Sequence, residues 1–253
     1  MKAGILLFAA SFAIAQTQTI DFKILKPGVL EQRLRLAHPK VEERYRRLRD
    51  LFEQTGCSNL REQAVKGSRQ PNLICPVEDP SNPVRIVVGA HFDSAGGDGV
   101  IDNWTGAILL ASLAEFIREK PRRHSFHFVG FAAEERGRLG SIAYLKALSR
   151  EDRKQIAAVI TMDSLGLTPT KCWPNSSDRE LMLMAARVAH AMQLSFAGVN
   201  VDRVGTTDSV TFHSARIPVL SLHSVTQETW ETINSSRDVW ESLSWKDYYD
   251  THR

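Results

Sequence analysis

The sequence predicts an α/β protein whose mostly parallel mixed sheet is flanked by helices on both faces. Three observations predict it. Apolar runs at 85–90, 126–131, 157–162 and 219–222 have strand length and are rich in Val, Ile and Phe. Between them lie stretches with apolar residues at three-to-four spacing, such as Leu109, Leu113, Phe116 and Ile117, the stripe of a helix packed on one side. Strand–helix–strand alternation is the pattern of parallel strands joined by crossover helices that cover the sheet.

The 253 residues are enough to bury a full core. Hydrophobic residues make up 43% and charged residues 24%, ordinary for a globular chain. A net charge of +3 is too small to argue for nucleic acid or a membrane surface as a partner. Nothing in the sequence sets an oligomeric state.

Residues 1–15 read as a signal peptide. Lys2 is a basic start, Ile5 to Ile14 is apolar, and Ala13-Ile14-Ala15 has the small-residue spacing of a cleavage site. The run is short of the ~20 residues of a spanning helix, and no later stretch is expected to cross a bilayer. A secreted or periplasmic protein is the expectation. Residues 16–71 form a helical and hairpin lead-in. A helix over 40–54 places Leu48, Leu51 and Phe52 on one face, with Arg44, Arg46, Arg47 and Arg49 on a solvated one. A turn at Gly67-Ser68 would bring segments 57–65 and 71–77 together as a hairpin, near enough for a Cys57–Cys75 disulfide in an oxidising compartment. Cys172 is then free, in a stretch that reads as a loop.

The run Arg85–Ala90 leads into His91. Residues two apart share a face of a strand, so His91 and Asp93 point the same way. A metal-binding imidazole needs an acceptor for its second ring nitrogen, and Asp93 supplies one. Asp102 follows in a Gly/Asp-rich loop before the helix that contains Leu109. The aromatic run Phe126, Phe128, Phe131 then delivers Glu134 and Glu135 just past its end. Adjacent glutamates point in different directions, so one can hold an ion while the other takes a proton from an attacking water. Residues 139–148 read as a helix, and the strand 157–162 ends at Asp163. A helix over 178–192 starts at a capping Ser176, Ser177 or Asp178. Its methionines, Met182, Met184 and Met192, read as core filler. The strand 219–222 reaches His223. Ligands of such sheets gather outside the carboxyl ends of the strands, where His91, Glu134, Glu135 and Asp163 all stand. Imidazole and carboxylates together suit zinc.

The segments G-A-H-F-D-S, D-N-W-T-G and A-E-E-R-G-R-L-G-S resemble the M28 family of zinc aminopeptidases and its relatives, the glutaminyl-peptide cyclotransferases. The likeness continues through M-D-S-L-G, T-D-S-V-T-F and R-I-P-V-L, and makes 72–253 an M28-like, zinc-exopeptidase-like domain. The resemblance implies one or two zinc ions and a peptide substrate. It implies Asp102 as a bridging ligand, His91 and Asp163 on one ion, Glu135 on the other, Glu134 as the general base and Asp93 behind His91. Gly137 and Gly140 would allow the turn after the glutamates.

One departure stands out. The family closes its second ion with a histidine in a segment like H-S-x-R-D, and here that segment reads N-S-S-R-D, with Asn234 in the histidine's place. His223 or His252 could substitute. Three readings follow: an exported zinc aminopeptidase, a glutaminyl cyclase, or a metal-depleted member of the fold that binds peptides or partners. The cyclase depends on the ion that Asn234 weakens.

Overall fold

A computed structural model describes residues 24–253, so the expected signal peptide lies outside the described residues. Eight strands form one mixed sheet: β1 Arg61–Gln63, β2 Asn72–Val77, β3 Arg85–His91, β4 Ser125–Phe131, β5 Ile156–Met162, β6 Lys171–Cys172, β7 Ala197–Gly198 and β8 Val219–His223. Their spatial order is β1-β2-β4-β3-β5-β8-β6-β7. The inner four, β4-β3-β5-β8, run parallel. β1–β2, β2–β4 and β6–β8 are antiparallel.

The helices are α1 Pro27–Leu34, α2 Val41–Gln54, α3 Thr105–Arg118, α4 Leu139–Ala147, α5 Arg150–Lys154, α6 Arg179–Ala191, α7 Asp208–Ser214 and α8 Trp245–His252. The chain leaves β3 for β4 on one side, then returns over β3 to β5 on the other. Right-handed crossovers in opposite directions put their helices on opposite faces. Two cores result. Phe128, Val88 and Ala90 of the sheet pack with Leu48 and Phe52 of α2, Leu110 of α3 and Tyr248 of α8. Val87, Val129, Phe131 and Val159 pack with Tyr144 of α4 and Phe212 of α7. Val87 and Val88 fall on opposite sides, as strand alternation requires.

β3 is therefore the strand where the order reverses, and the crevice above its carboxyl end is the expected ligand position. Cys57 and Cys75 are joined, as the hairpin suggested, with Cα atoms 6.0 Å apart. Cys172 is free and buried, but in the short strand β6 rather than a loop.

Three further expectations are corrected. Arg44 does not share the solvated face of α2. It is fully buried, its guanidinium turned onto main-chain carbonyls. Met184 is 56% exposed, with Leu183 and Val188 beside it, so the apolar stripe of α6 is only partly covered. The run Val100–Arg118 is long and apolar enough to cross a bilayer by composition, and 78% of its most apolar window is buried as the central helix of the first core.

Candidate metal centre

Four chain segments meet at the carboxyl end of the parallel strands. β3 ends at His91, which is 2% exposed. Its Nε2 lies 3.1 Å from Asp102 Oδ1 and 3.4 Å from Asp163 Oδ1. Its Nδ1 faces Asp93 Oδ1 at 3.5 Å. One ligand atom each from His91, Asp102 and Glu135 falls within a span of 4.8 Å. His91, Asp93, Asp102, Glu134, Glu135 and Asp163, scattered over more than seventy positions, are thus brought together.

Asp93 does more than face the imidazole. Its two oxygens accept the main-chain N–H groups of Glu134 at 3.0 Å and Glu135 at 3.2 Å. The turn after β4 is thereby fixed to the end of β3. That turn is tight: Ala133 sits at φ 56°, a left-handed conformation that costs an alanine roughly 1–2 kcal/mol. Gly137, at φ 98°, completes it. Glu135 Oε1 accepts the N–H of Ala95 at 3.1 Å, while Glu134 is buried beside the cluster. Asp163 is held by hydroxyls, from Thr207 at 2.6 Å and Ser164 at 3.0 Å.

The electrostatics are those of crowded acids. Burial pushes Glu134 up to about 10, reinforced by Asp208, Asp163 and Glu135 against the pull of His91. Burial likewise lifts Glu135 to about 8, with Asp102 as the strongest like charge. Burial and the neighbouring Asp163 raise Asp102. Burial would also raise Asp163, but His91, together with the hydroxyls of Thr207 and Ser164, outweighs it and holds that carboxyl near 2. Burial disfavours the imidazolium of His91, yet Asp163, Asp102 and Asp93 raise its pKa well above the ordinary value. His91 Nδ1 and Asp102 Oδ1 are buried without a hydrogen bond among the described residues. One imidazole, several clustered carboxylates and two unsatisfied buried atoms fit a divalent cation with nitrogen and oxygen ligands, zinc above all.

The remaining candidates sort by position. His223 lines the cleft, but both ring nitrogens are engaged, Nε2 with the carbonyl of Val199 at 3.0 Å and Nδ1 with the N–H of Val225 at 3.1 Å. His252 accepts the N–H of Leu25 instead of joining the cluster. Neither takes the place of the missing histidine. Asn234 lines the same cleft at φ 57°. Asn103 is fully buried, which rules out a glycan there. Asp208, at the start of α7, is 2% exposed, and burial lifts its carboxyl to about 7. The cleft holds about 80 Å³, with Trp173, Val201, Val204, Val225 and Ile233 forming an apolar wall beside the acids. Sequence reasoning missed Arg44, Asp238 and Thr207. Asp238 was visible in the N-S-S-R-D segment; for Arg44 there was no signal.

A three-layer α/β fold with a histidine–carboxylate cluster at the switch of its sheet defines a class, that of hydrolase-like α/β proteins built around a divalent-cation site. The sequence profile of Peptidase family M28 matches residues 72–252, and the chain belongs to that family. It is similar to Aminopeptidase YwaD of Bacillus subtilis, 28% identical over 166 residues, which are 63% of this chain and 35% of that protein. The chain thus spans about a third of that relative's length. The fold is shared with LapA of Legionella pneumophila (TM-score 0.76, 20% identity, 89% of this chain and 69% of the other). It is shared also with the Porphyromonas gingivalis glutaminyl cyclase (TM-score 0.68, 17% identity, 89% and 93%).

Proposed function

We propose that the protein is an exported zinc-dependent aminopeptidase that hydrolyses N-terminal peptide bonds. The observation that carries this reading is the division of labour between adjacent carboxylates. Glu135 shares a 4.8 Å cluster with His91 and Asp102, while Glu134 stands buried beside it. His91, Asp102 and Asp163 would hold one ion, and Asp102 with Glu135 a second. Zinc, when bound, supplies Lewis acidity to the scissile carbonyl and makes water acidic enough to lose a proton near neutral pH.

The chain's own residues do the rest. Glu134 accepts the proton of the attacking water and returns it to the leaving amine. Burial and its acidic neighbours hold this carboxyl at about 10. Positive charge within about 4–6 Å draws such a group back toward its ionised form. Asp93 keeps Glu134 in place through its main-chain N–H and keeps His91 oriented. Trp173 and Val204 set an apolar wall beside the acids of the cleft. Export is supported by the leader-like residues 1–15 and by the Cys57–Cys75 disulfide, which persists in oxidising compartments.

Glu134→Ala, assayed on aminoacyl-p-nitroanilides alongside zinc analysis, tests the mechanism. Turnover should fall by about 10²–10⁴-fold with zinc content unchanged. A fully active variant would remove Glu134 from the mechanism. Asn234 favours a second reading, a metal-depleted protein that binds peptides without cleaving them. Absence of stoichiometric zinc in purified wild type at neutral pH would decide for it. The cyclase is excluded if an N-terminal glutaminyl peptide is not converted to pyroglutamate.

A further inference from the structure

The segment from Phe92 to Asp102 is gripped from two sides by charged side chains that lie outside the cluster. On one side is Arg44 of α2, fully buried. Its Nε donates to the carbonyl of Phe92, and its Nη1 to those of Asp98 at 3.1 Å and Gly99 at 3.0 Å. On the other side is Asp238, also fully buried. Its Oδ1 accepts the N–H of Ile101 at 2.6 Å, and its Oδ2 accepts the N–H of Asp102 at 2.9 Å. Its own carbonyl accepts the N–H of Asp98 at 3.0 Å. The approach leaves no room for side chains. A Cβ on Gly97 would lie 2.6 Å from the Ser235 carbonyl oxygen, and one on Gly99 would lie 2.6 Å from Arg44 Nη1.

Apart from His91 Nε2, 3.1 Å from its Oδ1, the Asp102 carboxylate has little to aim it. Oδ1 is buried without a hydrogen bond among the described residues, and the backbone at Asp102 (φ −111°, ψ 94°) is extended just before α3 begins. Its direction is therefore set by the peptide planes on either side. Two successive N–H groups bound by one carboxylate fix the two peptide planes that lead into Asp102, because both acceptor oxygens belong to one rigid group.

We propose that Asp238 is a positioning residue for the metal centre. It clamps the main chain at Ile101 and Asp102 so that the Asp102 carboxylate faces His91, while Arg44 braces the same loop from α2. The inference rests on the reading of Asp102 as a metal ligand. On this view the 234–238 segment serves the centre through its last residue, independently of what stands at its first. Partners that orient ligands from behind typically contribute 10–100-fold to metal affinity or activity.

The test compares wild type, Asp238→Ala, Asp238→Asn and, as a destabilised control, Arg118→Ala. Arg118 holds the Thr55 carbonyl at 2.9 Å and touches Cys75 Sγ, outside the cluster. Zinc affinity is read by competition with a chromophoric chelator, ligand geometry by the visible spectrum of the cobalt-substituted protein, and stability by urea unfolding. Asp238→Ala should weaken zinc by about 10–100-fold and alter the cobalt spectrum. Asp238→Asn, which keeps one acceptor oxygen, should fall between. Arg118→Ala should lower the urea midpoint and leave zinc affinity and spectrum as in wild type. Wild-type affinity and spectrum in folded Asp238→Ala would overturn the proposal, as would a loss no larger than in Arg118→Ala. If Asp238→Ala does not fold, wild-type values in Asp238→Asn overturn it equally. Failure of wild type itself to bind zinc would instead sink the functional reading, and the clamp with it.

Discussion

Asp93 shows how much one residue can organise. It faces His91 and binds the main chain of both glutamates, so the ends of β3 and β4 are locked by one carboxylate. His-x-Asp spacing made the first contact legible in the sequence. The second depends on how the turn at Ala133 folds back, and no local pattern encodes it. Asn234 is the residue that most sharply separates this chain from the resemblance. It sits in the cleft in a left-handed conformation that asparagine and histidine adopt more readily than most residues. Asn234→His should therefore be accepted by the backbone, and an imidazole is the better zinc ligand. The expected outcome is more zinc per chain after dialysis than in wild type, read by elemental analysis. Equal zinc in the two proteins would show that position 234 does not reach an ion.

At the scale of elements, the strands and the ends that carry His91, Glu134, Glu135 and Asp163 were legible because strand length and alternation survive in the sequence. What was lost was facing. In α2, the leucine stripe marks the buried side, but nothing marks Arg44 as the one arginine that turns inward, because all its carbonyl partners but His38 lie 48 to 55 positions away. In α6, the methionines obey helical spacing, yet Met184 stays exposed, because spacing does not say whether another element covers the stripe. The Cys57–Cys75 disulfide is an element-scale device. It ties the end of α2 to β2 across a separation of 18 residues. A loop of that size restricts the unfolded chain by about 3 kcal/mol. Cys57→Ser with Cys75→Ser should lower the urea midpoint by that much free energy with the m-value read alongside. An unchanged midpoint would mean that the crosslink does not stabilise the fold by restricting the unfolded chain.

At the scale of the whole molecule, opposite ends of the described chain are tied at α8. Leu25 N–H donates to His252 Nε2 at 3.2 Å, and Tyr249 Oη donates to the Leu25 carbonyl at 3.3 Å. The first bond requires an unprotonated Nε2. Burial, with the Arg33 charge, lowers the His252 pKa to about 4. A free histidine titrates near 6.5. Between those values the unfolded chain binds the proton and the folded one does not, so stability falls as pH drops from about 6.5 towards 4. The full loss, reached below about pH 4, is on the order of 3 kcal/mol. Burial shifts His127 and His223 in the same direction. The raised carboxyls of Glu134, Glu135 and Asp208 act oppositely, since they favour the folded state as pH falls. A single pH–stability curve therefore mixes the two signs, and the difference between two proteins isolates one histidine. In His252→Gln the amide oxygen can accept the Leu25 N–H at any pH. Its urea midpoint should fall less steeply than wild type between pH 6.5 and 4, with the curves parallel above pH 7. Parallel curves over the whole range would show that the tie at α8 does not sense protons.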